Sequence, residues 1–542
     1  MDRRRFVKRA GLAVAGSAFG SSFFGCSSIV VEIPCLGPAA APVPVPGMTY
    51  IRASQLGCAL DCNLATGKNK HTGGSATDDA PLINAAMAGA SASNPMTLII
   101  DGSSLISGLF LPAGGYWSIA GLGCGTGFFI KKGTNNDGIH NGGTDTTAFE
   151  NPGPPAPARG SNVSLSNFTM NGNQGNGSNG DSTSGVRQGD KSGNWYFGIN
   201  LMNLDHITVQ NVVVVNAPSF HFRFSNVGNV AVSGCVMKSI GLSTDGLHFD
   251  GPANDITISD CQFFTGDDGI ALNCPEGCTG NISRVSVSNC SFNSWSLMRL
   301  DSIQCSGCSS KFNIDTVSVS NCSGTLVEAG FLLGMGAQSN PNAITGLTVS
   351  NCTLKAPAIL ELGSNFGAVT LSNVTLIPSF SSLSSQFAPP GSAIARTSPF
   401  FYGCTYVGSN LTLNNCVIQR EYDLPVAAIF LEYGSMISDF TFNGFAVRDP
   451  GGSSYKSVPA LIEIGSGSIE QLVLNALNSQ HITVAAKADG FSNIGSVSGT
   501  GVLATGWEFP DAVMANGVPY LSATTGSPSI IINGVVEPYP SG

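Results

Sequence analysis

The chain has 542 residues, 42% of them apolar, a formal net charge of −10 and only 24 Lys and Arg. Its 11% of charged residues compares with roughly a quarter in an average soluble protein. Cations so few and scattered form no basic face for phosphates, which argues against a nucleic-acid partner, while 68 glycines with abundant Asn, Ser and Thr suit strands joined by tight turns.

Residues 1–26 read as an export signal. "DRRRFVK" (Asp2–Lys8) has a twin-arginine pattern, and the apolar stretch after it is too short and too rich in small residues for a membrane span. Cys26 is a candidate lipidated cysteine, although Phe24 is bulky where such sites place a small residue. It is the one membrane attachment expected. Residues 27–47 are a Pro/Ala-rich linker, and 48–542 form the structured domain. The expectation is an exported monomer, periplasmic, cell-surface or extracellular.

"ATDDAPLINAAMAGA" (Ala76–Ala90) predicts a helix with Asp78 or Asp79 at its start and Leu82, Ile83, Ala86 and Met87 on one side. Such a helix would cap the open edge of a first coil. The coils themselves announce their presence by repetition. "ITVQNV" begins at Ile207, "VAVSGC" at Val230, "ITISDC" at Ile256 and "VSVSNC" at Val285 and again at Val317. "LTVSNC" follows at Leu347, "VTLSNV" at Val369 and "LTLNNC" at Leu411. One such strand cannot bury its apolar face alone, but stacked copies make a continuous core. The fold expected is all-β, a single right-handed parallel β-helix (a solenoid) with an N-terminal capping helix.

Stacking also accounts for most cysteines. Cys235, Cys261, Cys290, Cys322, Cys352 and Cys416 hold the last position of their repeats, after a turn residue that is usually Asn or Asp. They read as an inward ladder of small apolar thiols, with no paired spacing for a metal. Cys58/Cys62, Cys274/Cys278 and Cys305/Cys308 are close in sequence and read as disulfides or as loop thiols.

Aligning the repeats at Val230 and Ile256 lays "TDGLHFD" (Thr244–Asp250) over "DDGIALN" (Asp267–Asn273). Asp245 then stacks on Asp268 at the coil spacing of about 4.8 Å. Asp267 is its neighbour, so three carboxylates converge on one surface patch. Anions so close are not expected all to stay ionised, and an acid that keeps its proton beside ionised partners suits glycoside hydrolysis. The competing readings are solvated turn aspartates and a calcium site short of oxygens.

The run "NAPSFHF…NVAVSGCVMK…STDG…DITISDCQFFTGDDGIALN" (Asn216–Asn273) resembles the central block of glycoside hydrolase family 28, the polygalacturonases and their relatives, within the pectate-lyase-like β-helix superfamily. The pattern shared is N-S/A-P-x-x-H, then N-T-D-G, then G-D-D about one coil later. The resemblance implies that Asp267 is the general acid and that Asp245 and Asp268 hold and deprotonate the attacking water, with inversion. It implies a polysaccharide or oligosaccharide substrate; no metal or cofactor is expected. His221 matches the P-x-x-H element, with a buried, hydrogen-bonded side chain as the plainer reading.

Two elements of the pattern are missing. Where the family has G-H-G this chain has Trp295-Ser296-Leu297, and where it has R-I-K, the galacturonate clamp, this chain has Leu332-Leu333-Gly334. Arg299 instead falls in the outward column of His248 and Ala271, and the lysine column reads Asp250, Asn273, Asp301. His248, Asp250, Asn273, Arg299 and Asp301 are therefore expected to bind substrate through a lining better suited to neutral hydroxyls than to uronates. The expectation is an exported glycoside hydrolase, polygalacturonase-like without the clamp. A non-catalytic carbohydrate-binding or surface β-helix is the alternative, and a polysaccharide lyase a more distant one.

Overall fold

In the computed structural model, the described residues run from 37 to 488 with gaps, chiefly 142–155, 175–195, 240–242, 303–311, 335–342 and 380–400; beyond 488 only short strands are described. Cys26 and the Cys305/Cys308 pair lie outside the described residues. No helix among the described residues is long and apolar enough to cross a membrane. The chain divides into two compact units, Met1–Val285 and Ser286–Gly542.

The first unit holds the helix α1, Ala80–Met87, which buries Ala80, Ile83 and Met87. It packs beside the strand Leu109–Leu111, with Asn84 bonded to Gly108 and Phe110. Of the aspartates before it, Asp78 bonds the first helical amide and Asp79 bonds elsewhere. Asp79 stands at the N-cap without a side-chain cap bond, and its carboxylate accepts from the amides of Ala59 (2.7 Å) and Leu60 (3.2 Å). Asp78 accepts from Ala80 and Ser107 and faces Lys131.

Four strands of this unit carry the region of interest: β1 (Ile199–Gln210), β2 (Phe222–Ser233), β3 (Leu247–Ser259) and β4 (Ile270–Cys274). All pair in parallel, and Ile207, Val230 and Ile256 stand in register as the repeats require. The inward column Leu201, Phe224, Phe249, Leu272 is fully buried, with Phe224 and Phe249 stacked at 4.8 Å. Each such side chain contributes roughly 1.5–3 kcal/mol on burial. In the second unit, Val317, Leu347, Val369 and Leu411 form the same kind of column.

The turn after each repeat strand has one shape. Its fifth residue (Asn211, Gly234, Asp260, Asn289, Asn321, Asn351, Asn373 or Asn415) has φ between 51° and 62°. The left-handed region costs most L-residues about 1–2 kcal/mol, and Asn or Asp offsets that by local hydrogen bonds. Between stacked turns, Asn373 Nδ2 donates to Asn351 Oδ1 at 3.1 Å. The sixth residue then points inward, and all six repeat cysteines are buried. Cys58, Cys62, Cys274 and Cys278 are thiols rather than disulfides.

Along β1, β2 and β3 the two halves of each strand differ. In the second halves burial alternates, with Thr208, Ala231 and Thr257 exposed between buried Ile and Val. In the first halves the outward residues are buried as well: Asn200, Arg223 and His248 in one column, Ser225, Asp250 and Asn273 in the next. A polar interior therefore lies outside the apolar one.

Candidate active site

Two turns, Ser243–Gly246 and Thr265–Gly269, bring the aspartates together. The Gly246 amide donates to the Asp268 carbonyl and that of Leu247 to Gly269. The Ser243 amide donates to Asp267 Oδ2 at 2.9 Å, and the Gly266 amide to Thr244 Oγ1. Gly246 is needed here, because a Cβ would come within 2.5 Å of the Gly269 carbonyl oxygen. One carboxylate oxygen from each of Asp245, Asp267 and Asp268 lies within 4.8 Å of the others. The predicted convergence is therefore present. It is less open than a surface patch, since Asp245 and Asp268 are 4% and 2% exposed and only Asp267 is half-buried.

Beneath Asp245 lies a charged network. His248 Nδ1 donates to Asp245 Oδ2 at 2.7 Å, while Nε2 faces Asp250 Oδ1 at 3.1 Å and Glu276 Oε2 at 3.3 Å. The ring of Phe220 stacks on the imidazole at 3.9 Å. Arg223 Nε donates to the second Asp250 oxygen at 2.7 Å, with its guanidinium 5.3 Å from the Phe197 ring centre. Asn273 Nδ2 donates to Glu276 Oε2 at 2.7 Å. Arg223, His248, Asp250, Asn273 and Glu276 are all at most 1% exposed.

Burial by itself would drive the His248 imidazolium to give up its proton, but the bonds to Asp245, Asp250 and Glu276 outweigh it and hold its pKa well above 6.5. His221 shows the opposite case. It is fully buried, its Nδ1 meets the Asp245 carbonyl oxygen (2.8 Å), and burial pushes its pKa down to about 4. Of the two readings offered for His221, the buried and hydrogen-bonded one describes its place.

His248, Asp250 and Asn273 thus sit together beneath Asp245, bonded to one another's partners. Arg299 and Asp301 belong to the second unit, on the strand Ser291–Ser302; Arg299 is half-buried, pairs in register with Leu332, and Asp301 is 7% exposed. Arg223 and Glu276 were not singled out from sequence. A signal for Arg223 existed, as a lone arginine in an apolar strand one coil below His248 in the same outward column. Glu276 lies in the loop after β4, where no periodicity places a side chain. The triplet His248, Asp250 and Glu276, like the three aspartates, is spaced closely enough for a cation. Arg223 supplies positive charge there through its bond to Asp250.

Residues 140–323 match the family model described as glycosyl hydrolases family 28. No curated protein matches the chain. Among solved structures, the tailspike protein of E. coli bacteriophage HK620, a mutant in complex with a pentasaccharide, is 10% identical with a TM-score of 0.53, over 90% of this chain and 78% of that one. The Yersinia enterocolitica family 28 exopolygalacturonase is 12% identical with a TM-score of 0.39, over 88% and 79%. The Streptococcus pneumoniae surface protein and adhesin PfbA is 12% identical with a TM-score of 0.44, over 89% and 100%. The chain is thus a right-handed parallel β-helix whose residues 140–323, containing all three clustered aspartates, match glycosyl hydrolases family 28.

Proposed function

We propose that this protein is an exported, monomeric glycoside hydrolase acting on a polysaccharide. Asp267 passes its proton to the glycosidic oxygen as the bond to the anomeric carbon breaks. Asp245 and Asp268 orient a water on that carbon and take its proton. The observation that carries this reading is the meeting of the three carboxylates, with solvent reaching the assigned acid and hardly reaching the other two. Inversion is taken from the family pattern; the short spacing alone would suit retention. His248, Asp250 and Asn273 act from beneath the site. The N-terminal pattern supports export to the periplasm, cell surface or medium, and Cys26 as a lipid anchor.

A second reading, a non-catalytic carbohydrate-binding β-helix, is favoured by the near-complete burial of Asp245 and Asp268. Incubation with pectic, galactan, arabinan, xylan and rhamnose-containing polysaccharides separates the two. Hydrolysis yields new reducing ends without the ultraviolet absorbance of unsaturated products, and Asp267→Asn lowers turnover by at least about 100-fold with the fold intact. Absorbance would indicate a lyase. Binding without cleavage across the panel would give preference to the second reading.

A further inference from the structure

Both ring nitrogens of His248 face carboxylate oxygens, which accept and cannot donate when ionised. A neutral imidazole has one N–H, so in that form one nitrogen lone pair would be pressed against an anion in a site closed to water. An imidazolium satisfies every contact. Asp245 on the preceding turn, Asp250 on the same strand and Glu276 on the loop after β4 face the ring, Arg223 of β2 reaches it through Asp250, and Phe220 covers its face. The arrangement is directional. Asp245 Oδ2 is fixed by the shortest of the three bonds, and its main-chain carbonyl is fixed from the other side by His221.

We propose that His248 is a positioning residue which, as an imidazolium, holds the Asp245 carboxylate ionised and correctly turned for the water it activates. It supplies a histidine beside the aspartates in a chain that has Ser296 where the family pattern has one. The inference rests on the hydrolase reading. It is also more specific, because a histidine that merely filled space would leave the pH dependence of the reaction unchanged. The raised pKa of His248 agrees with the geometry.

The test compares the purified wild-type chain with His248→Gln, which keeps a donor but carries no charge, on the polysaccharide that the wild type cleaves. The expected result is a fall in kcat of about 10- to 100-fold with KM changed less than threefold. The acidic limb of the kcat/KM profile should move upward, because the water-activating pair has lost a neighbouring cation. An unchanged kcat and profile would overturn the inference while leaving the hydrolase reading in place. A wild-type chain silent on the whole panel would overturn both.

Should His248→Gln fail to fold, nitrogen-15 spectra of the histidines in the wild-type chain decide. Two protonated ring nitrogens for His248 at pH 7 support the inference, and one protonated nitrogen overturns it. Loss of activity on chelation, restored by a divalent cation alone, would also overturn it by placing a metal ion where the imidazolium is inferred.

Discussion

Arg223 and Asp250 form an ion pair at 2.7 Å with both side chains fully buried, and its removal is the most direct probe of the covered polar layer. Replacing Arg223 with Met fills similar space beside Phe197 but leaves the carboxylate facing only part of its positive surroundings. Breaking a buried pair from one side costs about 3–5 kcal/mol, because a charge is left in a medium that solvates it poorly. Asp250→Asn should cost more than Arg223→Met, since Asp250 is bonded to both Arg223 and His248. For a unit of this size the Arg223→Met loss corresponds to a fall in Tm on the order of 10 °C. Urea unfolding followed by circular dichroism at pH 7, on both single variants and the double, gives the coupling directly. The double variant should cost at least about 1 kcal/mol less than the sum of the singles. Arg223→Met within about 1 kcal/mol of wild type, or strict additivity, would refute the reasoning.

His221, with its pKa held at about 4 against the usual 6.5, should make the protein acid-sensitive. The unfolded chain takes up a proton that the folded chain refuses, so this stabilisation is full above pH 6.5 and is lost as the pH falls toward 4. The gap is worth on the order of 3 kcal/mol, and His221→Gln should flatten stability against pH across that window in parallel urea titrations. Asn321, at φ 53°, should accept Gly with little loss, whereas Asn321→Val should cost at least about 1–2 kcal/mol in the same assay. Burial pushes the Cys416 thiol up to about 12, so a bulky thiol reagent at pH 8 should label it only after denaturant is added, as peptide mass mapping would show.

The repeats were legible because each inward apolar column is written into every copy. Ile207, Val230 and Ile256 align by inspection, and the structure pairs them residue for residue. The aspartate cluster followed from the same register, since Leu247 and Phe249 pair with Ile270 and Leu272 as the alignment requires. What the sequence concealed was the fate of the outward columns. "LHFD" and "ITIS" alternate alike, yet His248 and Asp250 are covered while Thr257 is open. Periodicity tells which way a side chain points from its own sheet but not what is packed over it. Packing over these columns bonds His248 to Glu276 and Asp250 to Arg223, partners that the alternation does not reveal. Asp79 taught the same lesson on a smaller scale, because its bonds to the amides of Ala59 and Leu60 depend on a neighbouring loop.

The aspartates are separated by more than twenty positions along the chain but by a single strand spacing across it. That spacing is set by main-chain hydrogen bonding, which no side chain can lengthen. Segments inserted between the two turns can therefore grow, shrink or be exchanged without altering the distance between the carboxylates. For anyone remaking this protein, reaction chemistry and access to it become separable variables: grafting new loops onto these coils changes which molecule arrives, while the reacting groups keep their separation.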